Sequence, residues 1–142
     1  MACKNRYAKS CVRGYNNNPQ VVTADLTTLN ILGTPVVDNG CSLDLNTSGI
    51  TVENSGLYHF SADVIFTPTG AETLTVQLYK DGVALPCAIA QVTTAADVIT
   101  TLHVETDLCL GVCCANRPVI TVTTSGAAGT VNSVCMGGLK LA

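Results

Sequence analysis

The sequence predicts an all-β domain, an antiparallel sandwich or barrel preceded by a short irregular arm. Three observations carry this reading. Thr and Val are abundant while Glu, Lys and Arg are scarce, a balance that favours strands over helices. From residue 20 onward, turn signals recur at short intervals between β-rich runs. No window of ten or more residues carries an apolar stripe at helical spacing.

Taken in chain order, residues 1–19 show no periodicity, and Asn16-Asn17-Asn18-Pro19 reads as a turn or linker. This stretch is expected to be an arm, ordered by a partner. Residues 20–142 form the single expected domain, within reach of one core for a chain of 142 residues. Turn signals fall at Gly33-Thr34-Pro35, Asp38-Asn39-Gly40, Thr47-Ser48-Gly49, Glu53-Asn54-Ser55-Gly56, Thr67-Pro68-Thr69-Gly70, Asp81-Gly82, Asn116-Arg117-Pro118 and Ser125-Gly126.

The clearest strand is Leu57 to Phe66. Tyr58, Phe60, Ala62, Val64 and Phe66 alternate with His59, Ser61 and Asp63, so the aromatic set is expected inside and the polar set outside. A slip of one residue would bury His59 and Asp63, which pins the register. The clearest hairpin is Leu74 to Leu85, with Asp81-Gly82 supplying the positive φ values of a tight primed turn. Shorter strands are expected at Cys41–Leu45, Ile50–Val52, Ala88–Thr93, Val98–Glu105, Leu108–Cys114, Val119–Thr124, Thr130–Met136 and Leu139–Leu141.

Composition narrows the function classes. Hydrophobic residues make up 47% of the chain and charged residues 12%, little polar cover for a lone monomer, so part of the apolar surface is expected to be covered by other subunits. No apolar run approaches the length of a membrane-spanning helix, and residues 1–20 contain no apolar signal-peptide core. The net charge of −3 hides an asymmetry: Lys4, Arg6, Lys9 and Arg13 precede any acid, and the first acid is Asp25. The eight cysteines lie in a chain too long to need staples. Cys41, Cys87 and Cys135 are read as small buried hydrophobes, and Cys3, Cys11, Cys109 and Cys113 as candidates for disulfide formation under oxidising conditions.

Two motifs carry a family resemblance. Ser55-Gly56-Leu57-Tyr58-His59-Phe60 is followed by Val76-Gln77-Leu78-Tyr79-Lys80-Asp81-Gly82, and the chain closes on Val134-Cys135-Met136-Gly137-Gly138-Leu139-Lys140-Leu141. This order resembles the tumour necrosis factor and complement globular-head superfamily over roughly residues 40–142, and among its members small bacteriophage virion proteins. The resemblance implies a jelly-roll sandwich of about ten strands, a final strand that returns to the centre of its sheet, and a homotrimer. One departure is Glu105-Thr106-Asp107-Leu108, which stands where the family enters its penultimate core strand through Gly-Asp.

Catalytic and metal constellations are hard to assemble from these residues. His59 and His103 both fall at half-exposed strand positions, outside any serine-elbow or cysteine-protease context. Glu53, Asp63, Glu72, Asp97, Glu105 and Asp107 are scattered singly, and Glu105 and Asp107 share a face only if their strand continues through Thr106. Adjacent Cys113 and Cys114 point to opposite faces of a strand and do not chelate one ion easily. No enzyme, cofactor or metal is expected.

The remaining functional candidate is the arm, with Lys4, Arg6, Tyr7, Lys9, Arg13 and Tyr15 as its partner-binding residues. Four phosphate contacts would give weak, salt-sensitive binding, so an acidic protein surface is expected rather than nucleic acid. The expected role is a trimeric capsid decoration or head-fibre module, anchored through the arm to a capsid, fibre or tail protein and exposed on a phage virion. The alternative is a receptor- or glycan-binding adhesin head on a phage tail, cell or spore surface. Jelly rolls serve both roles, and the absence of Trp at loop tips tilts the reading toward decoration.

Overall fold

A computed structural model of the protein describes residues 10–39, 41–113 and 116–142. They form twelve strands: β1 Cys11–Asn16, β2 Gln20–Val22, β3 Thr27–Thr28, β4 Thr34–Asn39, β5 Leu43–Asn46, β6 Gly49–Val52, β7 Gly56–Pro68, β8 Thr73–Lys80, β9 Val83–Thr93, β10 Thr100–Leu110, β11 Val119–Ser125 and β12 Gly129–Lys140. Two antiparallel six-stranded sheets face each other. The first runs β10-β7-β12-β1-β4 with β2 paired to β12; the second runs β5-β6-β11-β8-β9 with β3 paired to β11. The expected jelly-roll sandwich is present, and the last strand lies between β7 and β1 as the resemblance implied.

The alternation in β7 does what it predicted. Tyr58, Phe60, Ala62, Val64 and Phe66 are fully buried, and the rings of Tyr58 and Phe60 lie 5.9 Å apart. They meet Leu74, Val76 and Leu78 of β8 and Ile120 and Val122 of β11 in one aliphatic-rich core. Each fully buried side chain of this size is worth about 1.5–3 kcal/mol. The β8–β9 turn has Asp81 at φ 50° and Gly82 at φ 79°, the double positive φ of a primed hairpin.

Several expected boundaries change. The segments Val98–Glu105 and Leu108–Cys114 fuse into β10, which runs unbroken through Thr106 and stops at Leu110. Thr130–Met136 and Leu139–Leu141 likewise fuse into β12. Gly137 and Gly138 sit inside β12 where a side chain would crowd its neighbours. A Cβ on Gly138 would sit 3.0 Å from the Phe60 ring, and one on Gly137 would sit 3.0 Å from the Arg13 guanidinium. Thr34-Pro35, expected as a turn, opens β4, where Pro is tolerated because β4 is an edge strand.

The larger correction concerns the arm. Residues 11–16 are not irregular: β1 pairs with β12 from Cys11↔Leu139 to Asn16↔Val134, and with β4 on its other side. It is an interior strand of the first sheet. Val12, Gly14 and Asn16 face inward, with Val12 fully buried and a Cβ on Gly14 only 2.8 Å from Leu45 Cδ2. Buried Asn16 donates from Nδ2 to the carbonyl of Asn30 at 2.8 Å and accepts from the amide of Asn18 at 3.0 Å. The jelly roll therefore begins by residue 11, not residue 20.

The sandwich has two distinct ends. Ser10 accepts from the amide of Lys140, and Ala142 accepts from the amide of Leu57, so residue 10 and the chain end share one end, here called the base. The opposite end, the tip, is tied by Thr69 N to Ala128 O, Asp97 N to Pro68 O and Gly126 N to Ala24 O.

Candidate functional site

The outer face of the first sheet gathers the titratable residues that the sequence scatters. On β7, His59, Ser61 and Asp63 point outward; on β10, His103, Glu105 and Asp107 do. Antiparallel register sets His103 opposite Asp63, Glu105 opposite Ser61 and Asp107 opposite His59. The side chains form a continuous ladder. His103 Nδ1 lies 2.7 Å from Asp63 Oδ1 and its Nε2 lies 3.3 Å from Glu105 Oε2. His59 Nδ1 lies 2.6 Å from Asp107 Oδ1 and its Nε2 lies 3.6 Å from the same Glu105 oxygen.

This geometry has a chemical consequence. A neutral imidazole has one N–H, yet both His103 nitrogens face carboxylate oxygens within hydrogen-bond distance, an arrangement satisfied in full only by imidazolium. The hydrogen bonds to Asp63 and then Glu105 hold the His103 pKa above the usual imidazole value, against a small opposing effect of burial. Neither imidazole is left with a nitrogen aimed at a hydroxyl or thiol, so the ladder does not have the nucleophile–base arrangement of a hydrolase. Among the described residues, no group of three His, Cys, Asp or Glu side chains is placed to hold a metal ion.

β1 extends the same face. Arg13 donates from Nη2 to Ser61 Oγ and from Nη1 to Cys135 Sγ, each at 3.2 Å, so its guanidinium lies flat over Gly137 beside the ladder. Tyr15 stands in the row of Cys135 and Asp63, and Leu139 in the row of His59 and Cys11. Tyr15, Leu139 and Ile65 are each a little over one-third exposed and frame the ladder with apolar surface.

The expected arm residues thus divide. Arg13 and Tyr15 belong to the sheet, where Arg13 is tied down by side-chain hydrogen bonds. Lys4, Arg6, Tyr7 and Lys9, and the candidate disulfide residue Cys3, lie outside the described residues. Of the other disulfide candidates, Cys11 and Cys109 carry free thiols. The register explains this: Cys11 stands opposite Leu139 and Asn39, and Cys109 opposite Leu57. Cys113 is exposed beyond the end of β10 and bridges to Asn116. The three cysteines read as buried hydrophobes also differ from expectation: Cys41 is disulfide-bonded, Cys87 is exposed on edge strand β9, and Cys135 is half-buried under Arg13.

At the tip, Val21 of β2 and Leu26, Val98 and Ile99 of the loops are 84%, 56%, 56% and 65% exposed, a concentration of apolar surface at the end opposite residue 10. Asp25 and Asp97 are the nearby exposed charges, and Asp97 holds a positive φ of 62°.

Among solved structures, the chain is similar to murine APRIL at 18% identity, covering 94% of this chain and 100% of that one with a TM-score of 0.65. It is similar to the PRD1 vertex protein P5 at 12% identity, 94% and 97% coverage and a TM-score of 0.69. It is also similar to the globular domain of zebrafish complement 1qA protein at 13% identity, 94% and 98% coverage and a TM-score of 0.64. No protein-family model matches the sequence, and no curated protein matches it either. At these identities the likeness shows the fold alone, a jelly-roll sandwich.

Proposed function

We propose that this protein is a non-enzymatic structural or binding head on a phage particle, working as a homotrimer and held to another virion protein through its N-terminal segment. The observation that carries this reading is the polarity of the sandwich. The chain enters at the base, where Ser10 is held by Lys140, while the exposed apolar loops stand at the tip. A head anchored by residues 1–9 would present those loops outward. Lys4, Arg6 and Lys9 supply charge and Tyr7 an apolar anchor for a capsid, fibre or tail protein with an acidic surface. Fold similarity to the PRD1 vertex protein supports the virion setting. The ladder supports the non-enzymatic reading, since its imidazoles are spent on carboxylates.

A second reading, a receptor- or glycan-binding head, is favoured by the tip itself. Val21, Leu26, Val98 and Ile99 are each more than half exposed at that end.

The test compares the full chain with a chain beginning at Ser10, each added to particles that lack the protein. The full chain is expected to bind the particle, and the shorter one to stay in solution. Light scattering on both is expected to give three times the 14.7 kDa chain mass. Equal binding of the two chains would overturn the anchoring role, and a monomer mass would overturn the trimer.

A further inference from the structure

We infer that the outer face of the second sheet, β5-β6-β11-β8-β9, binds a neutral glycan, stacked on Tyr79 and hydrogen-bonded by the hydroxyl and amide side chains around it. The site is separate from the tip and depends on neither the trimer nor the N-terminal anchor.

Register builds the site. Asn46 of β5 stands opposite Gly49 of β6, Thr121 of β11 opposite Tyr79 of β8, and Tyr79 opposite Ala84 of β9. Leu78 and Val122 are fully buried, so Tyr79 and Thr121 face out. A Cβ on Gly49 would lie 3.0 Å from Thr121 Cγ2 and 2.3 Å from the Ile120 carbonyl, so Gly49 continues the same row and keeps it low. The row crosses five strands, about 19 Å at the usual strand spacing. Tyr79 is its one aromatic side chain, half-buried between the small neighbours Ala84 and Thr121. A tyrosine ring offers a wide apolar contact with few rotors to fix. The hydroxyls of Tyr79 and Thr121 have no hydrogen-bond partner among the described residues, which leaves them for a ligand.

Charge selects the ligand. Toward the tip the outward positions continue as Thr123 and Gln77, then Thr75 and Gln91, then Thr73 and Thr93, none of them charged. One row toward the base stand two acids, Asp44 opposite Thr51 and Asp81 holding the amide of Val119 at 2.9 Å. An anionic ligand would meet no outward-facing cation in these rows and two carboxylates at one edge. A neutral polyhydroxyl ligand instead exchanges its hydrogen bonds to water for equivalent ones. The amides are already fixed in place: Gln77 Nε2 donates to the Leu85 carbonyl at 3.1 Å, Gln91 Nε2 to Thr75 Oγ1 at 3.0 Å and Asn46 Nδ2 to Thr51 Oγ1 at 2.9 Å. Side chains held in this way lose little freedom on binding, and the side-chain oxygens of Gln77 and Gln91 can accept sugar hydroxyls.

An array of neutral gluco-, galacto-, manno- and N-acetylglucosamine oligosaccharides, with heparin and sialylated oligosaccharides as charged controls, tests this with the full chain. At least one neutral class is expected to bind, and to bind as well at about 0.5 M salt as at low salt, since no charge pair is there to be screened. Heparin and the sialylated series are expected to stay unbound. Tyr79→Ala is expected to weaken binding at least about fivefold, the loss of one stacking contact, and Tyr79→Phe, which keeps the ring, to bind more tightly than Tyr79→Ala. The tip variant Val98→Ser with Ile99→Ser is expected to bind like wild type. Urea midpoints of each variant check that it is folded. No neutral oligosaccharide bound, or binding indifferent to Tyr79→Ala, would overturn this inference while leaving the anchored head in place. Binding lost in the tip variant and kept in Tyr79→Ala would overturn it in favour of recognition at the tip.

Discussion

Phe60→Ala, combined with Gly138→Ala, probes the centre of the molecule in a way that single changes do not. Phe60 is fully buried, stacked beside Tyr58 and lying against the bare backbone of Gly138 on the adjacent strand. Truncating the ring leaves a cavity whose wall has no side chain at Gly138 to swing in. The cost is therefore expected toward the upper part of the usual range, about 3–5 kcal/mol. For a domain of this size that is a fall in Tm of about 10–15 °C. Gly138→Ala alone pushes a Cβ to 3.0 Å from the ring and 3.1 Å from Leu43 Cδ1, an overpacking expected to cost about 1–3 kcal/mol. With the ring removed, the same methyl enters the space it vacated. The double variant is expected to lose less than the sum of the single losses, by at least about 1 kcal/mol. Urea denaturation of all four proteins, compared at constant m-value, measures this coupling. Strict additivity would mean that Phe60 and Gly138 do not share the packing described.

A chain beginning at Gln20 is expected to lose cooperative unfolding, because it removes Val12 and strips one side of β12 and of β4; a sharp thermal transition near the native Tm would refute the interior placement of β1. His103→Gln is expected to destabilise most at low pH. With its folded pKa raised, the protonated His103 stabilises the fold fully below the ordinary imidazole value of about 6.5, and that contribution fades as pH rises through the folded pKa. Urea midpoints of variant and wild type that stay equally far apart from pH 6 to pH 9 would contradict the protonated ladder. Gly126→Ala combines a positive φ of 84° with a Cβ only 2.2 Å from the Thr73 carbonyl, so a loss of at least about 1–2 kcal/mol is expected; a change within 0.5 kcal/mol on chemical denaturation would argue against that tip geometry.

The elements legible in the sequence were those whose inner positions are uniformly apolar. β7 announces itself because all five of its inward residues from Tyr58 to Phe66 are apolar, and the β8–β9 hairpin because Asp81-Gly82 meets a strict turn requirement. β1 was hidden for the opposite reason. Its inward set is Val12, Gly14 and Asn16, one apolar side chain, one forced gap beneath Leu45 and one buried amide, so no alternation shows. Strand continuity was underestimated wherever a polar residue or a pair of glycines fell at an outward or tightly packed position, as at Thr106 and Gly137-Gly138. The ladder was invisible residue by residue, since His103 and Asp63 are 40 positions apart and meet only through register. A signal did exist: His-x-Ser-x-Asp at 59–63 and His-x-Glu-x-Asp at 103–107 are both period-2 runs, and antiparallel pairing of two such runs sets each histidine against an aspartate.

The central place of β12 has a consequence for how the molecule is made. β1 and β7 are both synthesised before β12, yet in the first sheet they are separated by that strand, residues 129–140. On a ribosome, whose exit tunnel hides the most recent stretch of chain, β1 can meet β4 and β7 can meet β10 before β12 emerges, but the two pairs cannot be joined until it does. The second sheet is less constrained, because the β5–β6 and β8–β9 hairpins close locally. The first sheet therefore closes only once β12 is in place, through pairings of very long sequence separation, and such chains fold slowly. Until then the aromatic face of β7 stays open to other chains, so the yield of folded protein in the cell should depend on the rate of that final insertion more than on the stability of the finished sandwich.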